Sequence, residues 1–174
     1  MTEATVRRIS PADGALLRDL RMRALADAPE AFGQTSAEAA SRPDSEWVAA
    51  ARAASAGDRR AWFIAEWPAA TVPAAVGLIL TRRRPPDAGL IFSMWVAPEH
   101  RRVQVGEALI EAAVAWASSW GASRMVLWVF SANAAAIRFY DRLGFVVERD
   151  GKDAESGRPY DALAMSLSLA AAGS

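Results

Sequence analysis

Two stretches carry residue types whose spacing could do chemistry. The first runs Val96-Ala97-Pro98-Glu99-His100-Arg101-Arg102-Val103-Gln104-Val105-Gly106-Glu107 and leads into an apolar segment with helical spacing. A loop that feeds a helix start leaves backbone N–H groups without intrahelical partners at the positive end of the helix dipole. Arg101 and Arg102 add side-chain charge there, and Gly106 leaves room for close approach to the first turn. This is a physical recipe for holding a phosphate or pyrophosphate. The same residues also suit a solvated loop ahead of a helix that tolerates one glycine. The second stretch runs from Asn133 to Phe145, with Asn133 as a helix cap and Gly144 as a stop. Tyr140 shares an apolar stripe with Ala136, Ile137 and Leu143, and on spacing alone it is a packing tyrosine whose hydroxyl reaches the edge.

Alternating strands and helices must position these stretches. Val6 to Ile9 reads as a first strand, closed by Ser10-Pro11, with Asp13 placed to cap a helix over Ala15 to Ala26. A second helix is predicted from Glu46 to Ala54, started near Ser45 and stopped at Gly57. Trp62 to Glu66 and Ala75 to Thr81 read as consecutive strands, and Arg82-Arg83-Arg84-Pro85-Pro86-Asp87 as a solvated turn guarding a sheet edge. Ala61 to Leu80 is apolar enough to suggest a membrane span, but Glu66, Pro68, Pro73 and Gly77 favour two strands around a turn. Leu90 to Val96 is an apolar run suited to a central strand covered on both faces, followed by a helix from Val105 to Trp120. Met125 to Phe130, the helix Asn133 to Leu143, and strands at Phe145 to Glu148 and Leu163 to Leu169 complete the series around a polar turn at Asp150 to Pro159. Such alternation means an α/β or α+β single domain over residues 1–174.

Composition narrows the chemistry. Twenty basic and twenty acidic residues cancel, which removes the electrostatic case for a nucleic-acid partner. The chain has no cysteine, which excludes a thiol nucleophile, a disulfide scaffold and thiolate metal sites. His100 is the single histidine, too few for a histidine-based metal centre, so no metal is expected. Met1 to Ser10 is charged and lacks an apolar h-region, so a cytoplasmic protein without a membrane partner is expected.

Taken together, the two stretches resemble the GNAT superfamily of acyl-CoA-dependent N-acetyltransferases. The first is similar to that family's pyrophosphate loop, V-x-P-x-x-R/Q-x-x-G-x-G/A, and the second to its N-x-x-A-x-x-x-Y-x-x-x-G-F helix, matched here at each diagnostic position. The resemblance covers about Val72 to Leu169, with residues of about 10–60 as a variable acceptor-side arm. It implies a twisted, mostly antiparallel sheet of six or seven strands, helices on both faces, and a splayed parallel strand pair where acetyl-CoA would enter. It further implies that the main chain of Trp95 and Val96 would hydrogen-bond the pantetheine arm. Backbone amides across Arg101, Arg102, Val103, Gln104, Val105, Gly106 and Glu107 would cradle the pyrophosphate. Asn133 would contact the pantetheine or phosphate arm, and Tyr140 would protonate the departing CoA thiolate.

Two departures from the pattern stand out. Arg102 and Gln104 occupy positions where the family usually has glycine, so a Cβ narrows the approach to the backbone. No carboxylate lies in Leu90 to Val96, and Trp128 stands where some members place glutamate. Glu66 is the nearest substitute base, although a strand-end carboxylate in solvent fits it better. Phe32 and Trp128, with Trp47 and Trp95, could line an acceptor pocket. The expected activity is acetyl transfer from acetyl-CoA, as co-substrate, to a primary amine by direct attack, a small molecule being favoured over a protein N-terminus. A non-catalytic acyl-CoA sensor or interaction module is the alternative, and a homodimer would be unsurprising for the fold.

Overall fold

The computed structural model describes residues 3–69, 71, 72, 74–148 and 162–170. In chain order its elements are β1 (Thr5–Arg8), α1 (Gly14–Asp27), α2 (Ser36–Ser41), α3 (Asp44–Ala54), β2 (Arg60–Trp67), β3 (Ala74–Arg84), β4 (Ala88–Val96), α4 (Val105–Ser119), β5 (Arg124–Phe130), α5 (Ala134–Arg142), β6 (Val146–Val147) and β7 (Ala162–Ser168). Each expected helix and strand is present within a few residues of its expected ends. The turn expected at Asp150 to Pro159 lies outside the described residues. Ala61 to Leu80 folds into β2 and β3, and no helix among the described residues is long and apolar enough to cross a membrane.

Three readings need correction. The Arg82–Arg84 run is not a turn but the end of β3, which is longer than expected; Arg82 is paired with Leu90 and Arg84 with Ala88. The ladder to β4 continues through the arginines, and the reversal is left to the residues after them. The helix α2 was not expected at all, yet Thr35 and Glu38 cap it reciprocally: Glu38 N–H donates to Thr35 Oγ1 at 3.2 Å and Thr35 N–H to Glu38 Oε2 at 2.7 Å. Asp13 precedes α1 without capping it through its side chain, because its carboxylate accepts from Ser10 N–H and from Arg7 instead.

All seven strands form one sheet in the order β1-β2-β3-β4-β5-β7-β6. Its pairs are antiparallel except β4 with β5, which a crossover through α4 makes parallel. Helices lie on both faces. At Gly77 of β3 an added Cβ would meet Leu109 Cδ1 and Val105 Cγ1 of α4, at 3.1 and 3.5 Å. The adjacent pair, Leu78 with Trp95, points the other way, and Trp95 reaches Asp27 at the end of α1. Leu17, Leu20, Ala24 and Leu25 of α1 and Leu109, Ala113 and Trp116 of α4 are buried against the sheet, as their helical spacing requires.

The parallel pair is short. Only Ala88, Gly89 and Leu90 face Arg124, Met125 and Val126. Beyond that point β5 stays paired with β7 along its whole length, while β4 stays with β3. The sheet therefore divides between residues 91–96 of β4 and residues 127–130 of β5. A bulge in β4 lies at the division: Leu78 faces Trp95 and Leu80 faces Phe92, so Ile79 opposes both Ser93 and Met94. Ser93 takes φ 52°, a left-handed conformation that aims the strand's second half away from β5.

Candidate active site

A cleft of about 610 Å3 fills the division. Its lining comes from α1 and the residues after it (Arg21, Phe32, Gln34), from β3 and β4 (Arg82, Phe92, Ser93, Met94), and from β5 and α5 (Leu127, Trp128, Asn133, Tyr140). Alternation along β4 leaves a polar edge at Val96, beyond the lining residues Ser93 and Met94. Ala97 N–H donates to Val76 O at 2.8 Å, so the preceding residue, Val96, turns its N–H and C=O away from β3. The Trp95 carbonyl faces β3, 3.0 Å from where a Cβ on Gly77 would sit. Of the two residues expected to offer main chain to a ligand, Val96 turns its N–H away from β3, its carbonyl being taken by Arg101 Nε at 3.0 Å, and the Trp95 carbonyl points into the sheet.

Tyr140 reaches the cleft from the last full turn of α5. It is 9% exposed, packs edge-on against Phe139 and Phe145, and its hydroxyl donates to Met94 Sδ at 3.5 Å. Burial pushes the phenol above its ordinary range, so it stays a neutral donor throughout the physiological range. Asn133 caps α5, its Oδ1 accepting from Ala136 N–H at 3.1 Å while the residue also lines the cleft.

The loop before α4 combines strain with a spent charge. Arg102 and Gln104 take φ of 67° and 65°, the left-handed region that favours glycine, and Gln104 immediately precedes the first turn of α4. Val105 and Gly106 are buried and anchor the loop, whereas Arg102, Val103 and Gln104 are exposed. Arg101 does not offer its charge outward. Its Nε donates to Val96 O at 3.0 Å and its Nη2 is paired with the Asp27 carboxylate. The same carboxylate accepts from Trp95 Nε1 at 2.8 Å, so Asp27 ties the end of β4 to the loop. Arg102 is the loop cation left facing solvent. Glu107 sits 3.8 Å from Arg142 across the gap between α4 and α5. Gly106 is small for a packing reason as well. A Cβ there would lie 3.0 Å from Phe139 Cζ and 3.3 Å from Met94 Cε, so its bareness seats α5 and the partner of Tyr140.

Phe32 and Trp128 both line the cleft, with Trp128 stacked on Phe92 at 6.2 Å between ring centroids. Trp47 is buried beneath Arg42 and away from the cleft. Glu66 is no base for this site, because Arg7 Nε donates to it at 2.8 Å and it is not part of the cleft wall. His100 packs on Trp67, 5.0 Å between ring centroids. Among the described residues no carboxylate and no imidazole line the cleft. Arg21 and Arg82 do line it, and the sequence names neither as a site residue by itself: Arg21 falls within the acceptor-side arm without standing out there, and Arg82 belongs to a run that reads as a turn.

The fold defines the class: a mixed α/β sheet divided internally between a parallel strand pair that a crossover through α4 joins, with a tyrosine lining the opening. Residues 21–145 match the family model described as Acetyltransferase (GNAT) family, and the chain belongs to that family. It is 30% identical over 128 residues to the mycothiol acetyltransferase of Thermobispora bispora, covering 72% of this chain and 40% of that one. To the mycothiol acetyltransferase of Salinispora arenicola it is 33% identical over 131 residues, covering 72% and 39%. The chain thus spans about two-fifths of the length of the curated relatives it matches. The solved acetyltransferase of GNAT family from Streptococcus pneumoniae shares the fold, with a TM-score of 0.74 at 21% identity over 97% of this chain and 100% of that one.

Proposed function

We propose that residues 1–174 form one N-acetyltransferase domain that moves an acetyl group from acetyl-CoA to a primary amine by direct attack. The observation that carries the reading is the divided parallel pair, with the Val96 N–H turned away from β3 on one side and the Tyr140 hydroxyl on the other. Acetyl-CoA, when bound, supplies an acyl group activated as a thioester. The Val96 N–H suits an amide-bearing arm laid along β4, and the α4 start, with exposed Arg102, suits a pyrophosphate. In the transfer a C–N bond forms, the C–S bond breaks, and the amine's proton passes to solvent water, no carboxylate or imidazole among the described residues lining the cleft to take it. The Tyr140 hydroxyl donates toward the departing sulfur.

That donation has a limit set by acidity. A phenol held above its usual value of about 10 is a weaker acid than a thiol near 8.5, so full transfer from Tyr140 is uphill in the resting site. The hydroxyl therefore works chiefly by placing a hydrogen bond on developing sulfur charge, and the proton it gives is replaced from solvent. Positioning the amine against the carbonyl carries the larger share of the rate. The cleft, walled by Phe32 and Trp128, is of a size for small ligands, which favours a small-molecule amine over a protein N-terminus. Cytoplasmic residence and a homodimer belong to the same reading.

A second reading, a non-catalytic acyl-CoA sensor, draws on the cleft's lack of carboxylate or imidazole among the described residues. Calorimetric titration with acetyl-CoA, followed by thiol release across an amine panel, tests both. Binding with amine-dependent thiol release establishes the enzyme. Binding with no release from any amine favours the sensor, and absence of binding refutes both.

A further inference from the structure

Arg21 is an anomaly. It lines the cleft and is only 6% exposed, yet its Nη1, itself buried, has no hydrogen-bond partner. Its Nη2 donates to Gln34 Oε1 at 2.9 Å and its guanidinium lies 5.0 Å from the Phe32 ring centroid, so the head is held in place by a neutral amide and an aromatic face. A buried cation without a counter-ion is costly, and proteins normally pair it. Burial first, and then nearby Arg42, hold its pKa down to about 10, which still leaves it charged at neutral pH. Arg42 has its own carboxylate in Glu46, at 3.1 Å. Across the same cleft Arg82 lies 5.2 Å from the Phe92 ring centroid, and no carboxylate among the described lining residues answers either arginine.

We infer that the acceptor brings the missing counter-ion: the substrate is a primary amine that also carries a carboxylate, seated on Arg21 and Arg82 with its amino group toward Tyr140. The inference rests on the acetyltransferase reading and narrows it. A guanidinium held by Gln34 and Phe32, with one edge unused, presents the planar donor geometry that a carboxylate matches. The same pair of charges repels polycations, so polyamines and aminoglycoside-type amines are poor acceptors. A purely internal role, stapling α1 to the loop after it, uses Nη2 and leaves Nη1 unexplained.

Matched probes test this. Each of the common L-amino acids and its C-terminal amide is offered with acetyl-CoA, and thiol release is followed. The acids should exceed their amides in kcat/KM by about thirtyfold or more for the preferred side chain, and spermidine should be inert. Arg21→Met should bring the acid-to-amide ratio close to one. Arg82→Gln, at an exposed position, should lower the same ratio and serves where the Arg21 variant fails to fold. Melting of the protein with each amino acid alone, without acetyl-CoA, gives a readout independent of turnover. A stabilisation by acids but not amides, lost in Arg21→Met, upholds the carboxylate seat even where no amine releases thiol and the acetyltransferase reading fails. Equal turnover of acids and amides overturns the inference and leaves the acetyltransferase reading standing. Absence of any acid-specific stabilisation or turnover also overturns it.

Discussion

Glycine at position 104 should stabilise this protein, an outcome unusual for a change to glycine. Gln104 holds φ 65° directly before α4, and Arg102 holds φ 67° two residues earlier. A side chain in that region costs about 1–2 kcal/mol relative to an unstrained residue. Glycine removes the strain but returns about 0.5–1 kcal/mol through the greater freedom of its unfolded chain. The net gain is about 0.5–1 kcal/mol for Gln104→Gly, and at this chain length that is a rise in Tm of about 2 °C. Gln104 makes no side-chain cap to α4, so nothing is lost with it. Arg102→Gly should gain the same strain relief while removing the exposed loop cation, and so the two variants separate strain from charge. Thermal melts give the first quantity; calorimetric titration with acetyl-CoA at low and high salt gives the second. Gln104→Gly should keep or improve affinity at both salt concentrations. Arg102→Gly should weaken binding up to about fivefold at low salt and leave it unchanged at high salt. A fall in Tm for Gln104→Gly would refute the argument that this loop stores backbone strain.

Other outcomes follow from the geometry. Tyr140→Phe should lower kcat by about 100-fold with little change in acetyl-CoA affinity, measured by steady-state thiol release and calorimetry; equal losses in both would mean that the hydroxyl holds the structure and not the reacting sulfur. Because folding raises the Tyr140 pKa, its contribution to stability is whole below about pH 10 and lost as pH rises beyond it; alkaline denaturant melts should show a shallower decline in the phenylalanine variant. Asp13 shows the opposite sign, since hydrogen bonds from Arg7 above all, and then Ser10, hold its pKa down to about 2. Its contribution is present above about pH 4 and lost as pH falls toward 2, of order 1 kcal/mol after solvent screening, so the urea midpoint of Asp13→Asn should change less between neutral and acid pH than that of the parent. Asp27→Ala strands the Trp95 indole and frees Arg101, and should cost about 1–3 kcal/mol in denaturant melts and weaken acetyl-CoA binding together; loss of stability alone would mean that Arg101 has no part in shaping the loop.

The legible part of the sequence was the part whose meaning is local. Helix periodicity, the Asn133 cap and the Gly144 stop depend on residues a few positions apart; that spacing puts Tyr140 on the apolar stripe of α5, and only the family resemblance gives its hydroxyl a place in the opening. Thr35 and Glu38 are equally local, and their reciprocal cap marks the start of α2. The rest depends on pairs distant in sequence. Asp27 with Trp95, and Arg21 with Arg82 across one cleft, are separated by about sixty residues or more and meet only through sheet order. Gly106 is ambiguous for a related reason, because a missing side chain does not say whether a ligand or a phenylalanine uses the space.

The division of the sheet has a consequence for how the molecule holds together. Three residue pairs join β4 to β5, and with them one half of the sheet to the other. Beyond that seam each half ends in an interior margin whose main-chain groups look for partners. An elongated ligand rich in amides, laid along Val96, would act as an eighth strand supplied from solution and close the seam that the polypeptide leaves open. Occupancy would then be felt as a mechanical property: amides on both margins should slow their hydrogen exchange together, although only one margin touches the ligand.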